Sequence, residues 1–131
     1  MIIKEIGKSG GFQVVKESDE WRIAHHTYKA GINSVKDFSK WGIHPDSEEM
    51  FILIRGNMLL ATSGSLKSPE KMVIHKVEKE TLYFVEKGER HAIVLEEDSI
   101  VLIVENRDMS NFIEISMSEE EKTKILEFMQ K

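Results

Sequence analysis

Two segments of the sequence carry side chains that could bind a metal ion or transfer a proton. His44 is followed by Glu49, and His91 lies in a separate segment of the chain. Two imidazoles and one carboxylate on an open pocket are the ligand set of a facial triad, which suits Fe(II) and is tolerated by Mn, Ni, Co or Zn. Without a metal, the same histidines could contact a polar ligand or act as acid and base.

These side chains can meet only if strands bring distant parts of the chain together. Nine short apolar runs rich in β-forming residues recur at a spacing of roughly 8–12 residues, which predicts a sandwich or barrel. The runs are 12–15, 21–28, 50–54, 58–61, 72–77, 81–85, 92–95, 99–104 and 112–115. Gly56, between two of them, predicts a hairpin, and turn-forming residues fill 63–70 and 87–89.

Strand alternation assigns the candidate residues to faces. Glu49, Phe51 and Leu53 share one face, so all three line a barrel if Glu49 points inward. A register slip of one residue would turn Glu48 inward instead. His25 and His26 are adjacent, so at most one of them faces the same cavity. Further candidates for the pocket are Lys40, Gly42, Phe51, Leu53, Ile93, His25, His26 and Tyr83.

One helix closes the sequence. Ser118 and Glu121 have the spacing of a capping box, and three glutamates follow Ser118 where the helix dipole favours them. Ile125, Phe128 and Met129 form an apolar stripe. The pattern predicts a helix over about 118–130 that packs on the barrel or on a partner.

Bulk properties exclude several function classes. The 131 residues fit one domain, 1–131, and the net charge of −5 offers no basic face for nucleic acid. The chain has no cysteine, so disulfides and thiolate ligands are excluded. The first residues are too polar for a signal peptide, and no run approaches the roughly 18 apolar residues of a membrane helix. We therefore expect a cytoplasmic protein that does not contact membranes.

The segment from Gly42 to Gly56 resembles the first cupin motif, which reads Gly-x5-His-x-His-x3–4-Glu-x6-Gly. His44, Glu49 and Gly56 match its second histidine, its glutamate and its last glycine. The first histidine of the pair falls on Gly42, which is a departure from the motif.

The segment 86–95 resembles the second cupin motif, Pro-x-Gly-x-x-His. Gly88 and His91 match, whereas Glu86 takes the place of the proline and Leu95 that of an asparagine expected after the histidine. The stretch 96–108 is also similar to small single-domain bacterial cupins of no assigned activity.

The resemblance implies an all-β fold, a cupin-type β-barrel (a double-stranded β-helix or jelly roll) with a C-terminal helix. It implies a site at His44, Glu49 and His91. Metal-binding cupins commonly use three histidines and one glutamate, so Gly42 leaves either a reduced metal site or a metal-free pocket.

Three functions remain open from the sequence. The first is a divalent-metal cupin acting on a small organic molecule, and the second is a metal-free cupin that binds or senses a small polar ligand such as a carbohydrate. The third is a metal-independent epimerase or isomerase that uses a histidine with Tyr28 or Tyr83 as base and acid.

A homodimer is expected as well, because the apolar face of Met50, Ile52 and Ile54 must be covered by a second sheet or a partner.

Overall fold

The alternating apolar runs form antiparallel strands. The computed structural model describes residues 1–8, 10–32, 34 and 37–130, and within these ranges the chain forms ten strands and one helix. The all-β prediction is confirmed. The elements are β1 (Gly11–Glu17), β2 (Trp21–Thr27), β3 (Lys40–Ile43), β4 (Glu49–Arg55), β5 (Met58–Ser65), β6 (Pro69–Lys76), β7 (Leu82–Val85), β8 (Glu89–Leu95), β9 (Ile100–Asn106), β10 (Ile113–Ser116) and α1 (Glu119–Met129).

The strands divide between two sheets that face each other. Sheet A has the order β1-β2-β9-β4-β7 and sheet B the order β10-β3-β8-β5-β6. The predicted hairpin at Gly56 is wrong, because β4 pairs with β7 and β9 while β5 pairs with β6 and β8. The turn at Gly56 instead carries the chain from one sheet to the other.

Two further differences concern a strand that the sequence does not predict and the length of one turn. Strand β3 was not among the predicted runs, since its four residues, Lys-Trp-Gly-Ile, are too short and too mixed to stand out. The turn predicted over 63–70 is shorter than expected. Strand β5 continues to Ser65 and β6 begins at Pro69, so only three residues separate them.

The predicted capping box at the start of the C-terminal helix is confirmed. The Ser118 side chain accepts a hydrogen bond from the Glu121 backbone N–H at 3.1 Å, and the Glu121 carboxylate accepts one from the Ser118 N–H at 2.9 Å. Together they satisfy two N–H groups that the first turn would otherwise leave unpaired. Among the described residues, no helix has the length and apolar character needed to cross a bilayer.

Two apolar clusters hold these layers together. One lies between the sheets and includes Phe51, Leu53 and Val101. The other lies on the outer face of sheet B beneath α1, where Trp41 and Ile125 are fully buried. Burial of such side chains contributes about 1.5–3 kcal/mol each. Sheet B is therefore covered on both faces.

The outer face of sheet A is different. Met50 and Ile52 point away from sheet B, and their cross-strand neighbours Phe84 and Leu82 are 59% and 55% exposed. Ile54, on the same strand as Met50, is also exposed. The second sheet therefore does not cover this apolar face.

The backbone conformation of the turn at position 56 requires glycine. Its φ is +87°, and an added Cβ would lie 2.6 Å from the Ser99 Cα. We expect Gly56→Ala to lower the free energy of unfolding by about 3 kcal/mol or more, because left-handed strain and a backbone clash add. Gly31→Ala is the control, since φ is +88° there but no atom of the described residues, its chain neighbours aside, lies within 4 Å of an added Cβ. Urea denaturation should show the smaller loss, about 1 kcal/mol, at Gly31, and equal losses would contradict the clash.

Candidate metal centre

The backbone brings the two motif segments side by side. Gly42 of β3 pairs with His91 of β8, and His44 follows directly after β3. The Gly88 N–H donates a hydrogen bond to the His44 carbonyl at 2.8 Å. Gly88 has a φ of +81°, a conformation that glycine adopts without strain. The turn before β8 therefore fixes the backbone that carries His44.

Glu49 completes a cluster of three side chains. It is the first residue of β4 and points between the sheets, whereas Glu48 is exposed. The His44 Nε2 contacts the Glu49 Oε2 directly, and the His91 Nε2 lies 3.5 Å from the Glu49 Oε1. The two imidazole rings stack with centroids 5.2 Å apart.

The donor atoms of this cluster have the arrangement that a metal ion needs. One ligand atom from each of His44, Glu49 and His91 lies within 4.8 Å of the other two. All three residues are buried. Among the described residues, no other group of three such side chains meets this condition.

Burial and mutual contact set the charges of the cluster. Burial alone would raise the pKa of Glu49, but hydrogen bonds from His44 and His91, together with their charge, lower it well below the usual range of a carboxyl. Burial alone would lower the pKa of His91, but its hydrogen bond with Glu49 and the charge of that carboxylate raise it instead. Glu49 is thus a buried carboxylate stabilised by two imidazoles.

The tautomer of His91 follows from its other partner. Its Nδ1 lies 3.2 Å from the Glu89 backbone oxygen, and a carbonyl can only accept, so Nδ1 donates. In a neutral ring, Nε2 then presents a lone pair toward Glu49. A protonated Nε2 would instead donate to Glu49, and the nitrogen lone pair and the carboxylate are both donor atoms that suit a divalent transition metal.

The cluster forms part of the wall of a cavity of about 580 Å³. The predicted pocket residues that line this cavity are Lys40, Gly42, Phe51, Ile93 and His26. Of the two adjacent histidines, His26 is therefore the one that faces the cavity. Burial lowers the pKa of His26 to about 4, so its imidazole is neutral at neutral pH.

Three predicted pocket residues lie elsewhere. Leu53 belongs to the apolar cluster between the sheets, and His25 is on the opposite face of β2 from His26. The Tyr83 hydroxyl accepts a hydrogen bond from the Glu78 backbone N–H at 2.9 Å. Leu53, His25 and Tyr83 are absent from the described lining of the cavity, and so is Tyr28.

A second polar pair in the cavity was missed. Arg22 of β2 is the cross-strand neighbour of Glu105 of β9, and its Nε donates to the Glu105 Oε2 at 2.7 Å. Burial, reinforced by the charge of Glu49, raises the pKa of Glu105 to about 7 despite the opposing effect of Arg22. A charged residue at an inward position of an otherwise apolar strand is the signal that could have revealed Glu105.

Phe112 was also missed as a cavity residue. It precedes β10, and its ring lies 4.9 Å from that of His44. The preceding residue, Asn111, donates from Nδ2 to the Asp46 Oδ2 at 2.7 Å, which ties this loop to the segment after His44. Contacts between loops leave no periodic signal in the sequence, so nothing there indicated this role.

Solved structures resemble most of this two-sheet arrangement. A cupin-2 domain containing protein from Shewanella frigidimarina superposes with a TM-score of 0.52 at 17% identity, covering 78% of this chain and 85% of its own. The chain has the cupin fold.

Larger proteins share this cupin fold. A hydroquinone 1,2-dioxygenase from Sphingomonas sp. TTNP3, with 4-hydroxybenzoate bound, has a TM-score of 0.56 at 8% identity and covers 76% of this chain and 67% of its own. An Fe(II) HppE in complex with substrate has a TM-score of 0.53 at 13% identity and covers 80% and 56%. No protein-family model and no curated protein matches the sequence. At these identities the likeness establishes the fold alone.

The charge of Glu49 should be visible in the titration of His91. In metal-free protein, we expect Glu49→Gln to lower the pKa of His91, because the stabilising charge is lost while burial remains. Imidazole resonances followed by NMR against pH measure the change. Glu48→Gln removes a neighbouring exposed carboxylate and should leave the His91 titration unchanged. A His91 pKa unaffected by Glu49→Gln would show that the contact does not exist in solution.

Proposed function

We propose that the protein binds a divalent transition metal through His44, Glu49 and His91 and acts with it on a small organic molecule in the adjoining cavity. The observation that carries this proposal is the convergence of three buried donor atoms at the wall of a cavity of about 580 Å³. Two imidazoles and a carboxylate are compatible with Fe, Mn, Ni, Co or Zn.

The ligand set supports a reactive rather than a purely structural metal. Structural sites close their coordination shell with protein side chains, whereas catalytic sites leave a position open. Gly42 contributes no side chain, so three protein ligands would leave positions open toward the cavity. When bound there, a divalent ion would act as a Lewis acid toward an oxygen atom of the organic molecule.

The protein's own residues would bind and shield that molecule. Phe51 and Ile93 give the cavity apolar walls, which exclude water and strengthen polar interactions inside. Glu105, held by Arg22, extends a row of polar groups along sheet A to Glu49. The dioxygenase structure has 4-hydroxybenzoate bound, and the HppE structure contains Fe(II) and a substrate, which is compatible with this proposal.

Metal binding tests the proposal directly. After chelator treatment, the protein should bind one equivalent of Co(II) or Zn(II) in a calorimetric titration. His91→Ala should weaken the affinity by about 100-fold or more, because one of three ligands is lost.

Two variants serve as matched controls for this titration. His75→Ala removes an exposed histidine of β6, and Glu48→Gln an exposed neighbour of Glu49, so both should bind metal like the native protein. A native protein that binds no stoichiometric divalent ion would refute the proposal.

One observation favours a metal-free alternative. His44 and Glu49 are already in direct contact, so the cluster is electrostatically compensated without an ion. The cavity would then bind or sense a small polar ligand such as a carbohydrate. Thermal stabilisation by an organic ligand in the presence of EDTA, with none by metals, would favour this alternative.

The epimerase hypothesis has no tyrosine to act as its acid, since Tyr28 and Tyr83 lie outside the described cavity lining.

We also propose that two copies associate through the outer face of sheet A. Five strands of up to seven residues span a face of roughly 20 by 23 Å. The flat area of this face is about 460 Å², smaller than the ~800 Å² per partner of a standard interface, so most of the face would be buried in a dimer. Leu82 and Phe84 lie on this face and are exposed. A twofold axis would bury the same apolar surface on both copies.

Sedimentation equilibrium tests this association. The native protein should sediment as a dimer at micromolar concentration, and the double variant Leu82→Glu/Phe84→Glu as a monomer, because charges would be buried at the interface. Val73→Glu, at an exposed position on β6 of the other sheet, should remain dimeric. A native monomer at micromolar concentration would overturn the proposal.

A further inference from the structure

The cavity beside the candidate metal centre is rich in aromatic side chains. Four phenylalanines from different parts of the chain line it: Phe12, Phe38, Phe51 and Phe112. Ile93, Ile103 and Met109 add to its apolar lining. Such walls favour a flat apolar molecule over one with many hydroxyl groups, because each hydroxyl buried without a partner costs about 1–3 kcal/mol.

The charges around the cavity oppose an anionic ligand. The described lining contains four carboxylates, those of Asp37, Glu49, Glu105 and Glu114, against the two cations of Arg22 and Lys40. The formal charge of these six side chains is −2 when Glu105 is ionised and −1 when it is protonated, since burial raises the pKa of Glu105 to about 7. Arg22 is already paired with Glu105, and Lys40 is exposed, so neither is a dedicated partner for a carboxylate.

Phe112 occupies the space next to the cluster that Gly42 leaves open. A Cβ added at Gly42 would lie 3.0 Å from the Phe112 Cζ and 3.6 Å from the His91 Cε1. The Phe112 ring also packs against the ring of His44 at 4.9 Å. An aromatic face thus stands beside two of the three proposed metal ligands, where a bound molecule would have to pass or stack.

We propose that Phe112 determines specificity, and that the cavity takes a neutral, planar, conjugated molecule with one ionisable hydroxyl group, a phenol or an enol. This inference rests on the proposed function, since the hydroxyl oxygen would face the metal while the conjugated plane packs against Phe112. Gly42 contributes to the same role, because a Cβ there would lie 3.0 Å from the Phe112 Cζ and would displace the ring by a few tenths of an ångström. A sugar would place part of its hydroxyls against the phenylalanine walls, and a carboxylate would meet the carboxylates of the lining.

Binding to the Zn(II)-loaded protein tests this assignment without turnover, because zinc has no redox chemistry. The probes are 4-methylphenol, benzoate and glucose, measured by calorimetry. We expect 4-methylphenol to bind at least about tenfold more tightly than benzoate, and glucose not to bind. Phe112→Ala should weaken 4-methylphenol binding by about tenfold through loss of the aromatic contact.

Two controls separate this role from general damage. Phe112 is 39% exposed, so its replacement should leave the fold intact, and zinc affinity is measured on Phe112→Ala so that 4-methylphenol binding is compared at full zinc loading. Phe84→Ala removes an exposed aromatic ring from the outer face of sheet A and should bind 4-methylphenol like the native protein.

The outcomes distinguish this inference from the proposed function. If zinc binds but benzoate or glucose binds as tightly as 4-methylphenol, the ligand class is wrong and the metal centre stands. If 4-methylphenol binds equally well to native protein and Phe112→Ala, the role of Phe112 is wrong. If the native protein binds no zinc, the proposed function fails, and this inference fails with it.

Discussion

Glu49 is a carboxylate enclosed between two sheets, and the structure around it is arranged to keep its charge tolerable. An unpaired carboxylate at such a depth would cost several kcal/mol or would take up a proton. Here two imidazoles face its two oxygens. Those imidazoles come from strands far apart in sequence, so the pairing of β3 with β8 and the hydrogen bond from Gly88 to His44 are needed to deliver them. The candidate site and the closure of the two sheets are therefore mutually dependent.

Much of this arrangement could be predicted from local patterns. The period of two along β4 puts Glu49 and Phe51 on one face and Glu48 on the other, because side-chain direction in a strand alternates, and burial in the structure identifies the face of Glu49 as the inner one. The same rule lets only one of His25 and His26 face the cavity, but the lining of the cavity is needed to identify it as His26. Turn glycines at Gly56 and Gly88 are required by backbone conformation, and both have positive φ. These features depend on a few consecutive residues, which is why a single sequence reveals them.

Long-range features could not be predicted in this way. Gly56 was interpreted as a hairpin turn because a turn residue indicates a change of direction, but it does not specify which sheet the next strand joins. Phe112 reaches the site only through the path of a loop. The pairing of Arg22 with Glu105 depends on β2 lying beside β9, two strands separated by most of the chain. In each case the deciding contact is tertiary.

The position of Trp41 has an optical consequence. Trp41 directly precedes Gly42, is fully buried beneath α1, and donates from its indole Nε1 to the Glu121 carboxylate at 3.1 Å. The sequence contains one other tryptophan, Trp21, which is 46% exposed. A water-soluble quencher reaches Trp21 but not Trp41, so the unquenched, blue-shifted emission comes from the strand that pairs with His91. The native protein thus carries a fluorophore on the reverse side of its cavity wall, which reports undocking of the helix and disturbance of that strand without any label.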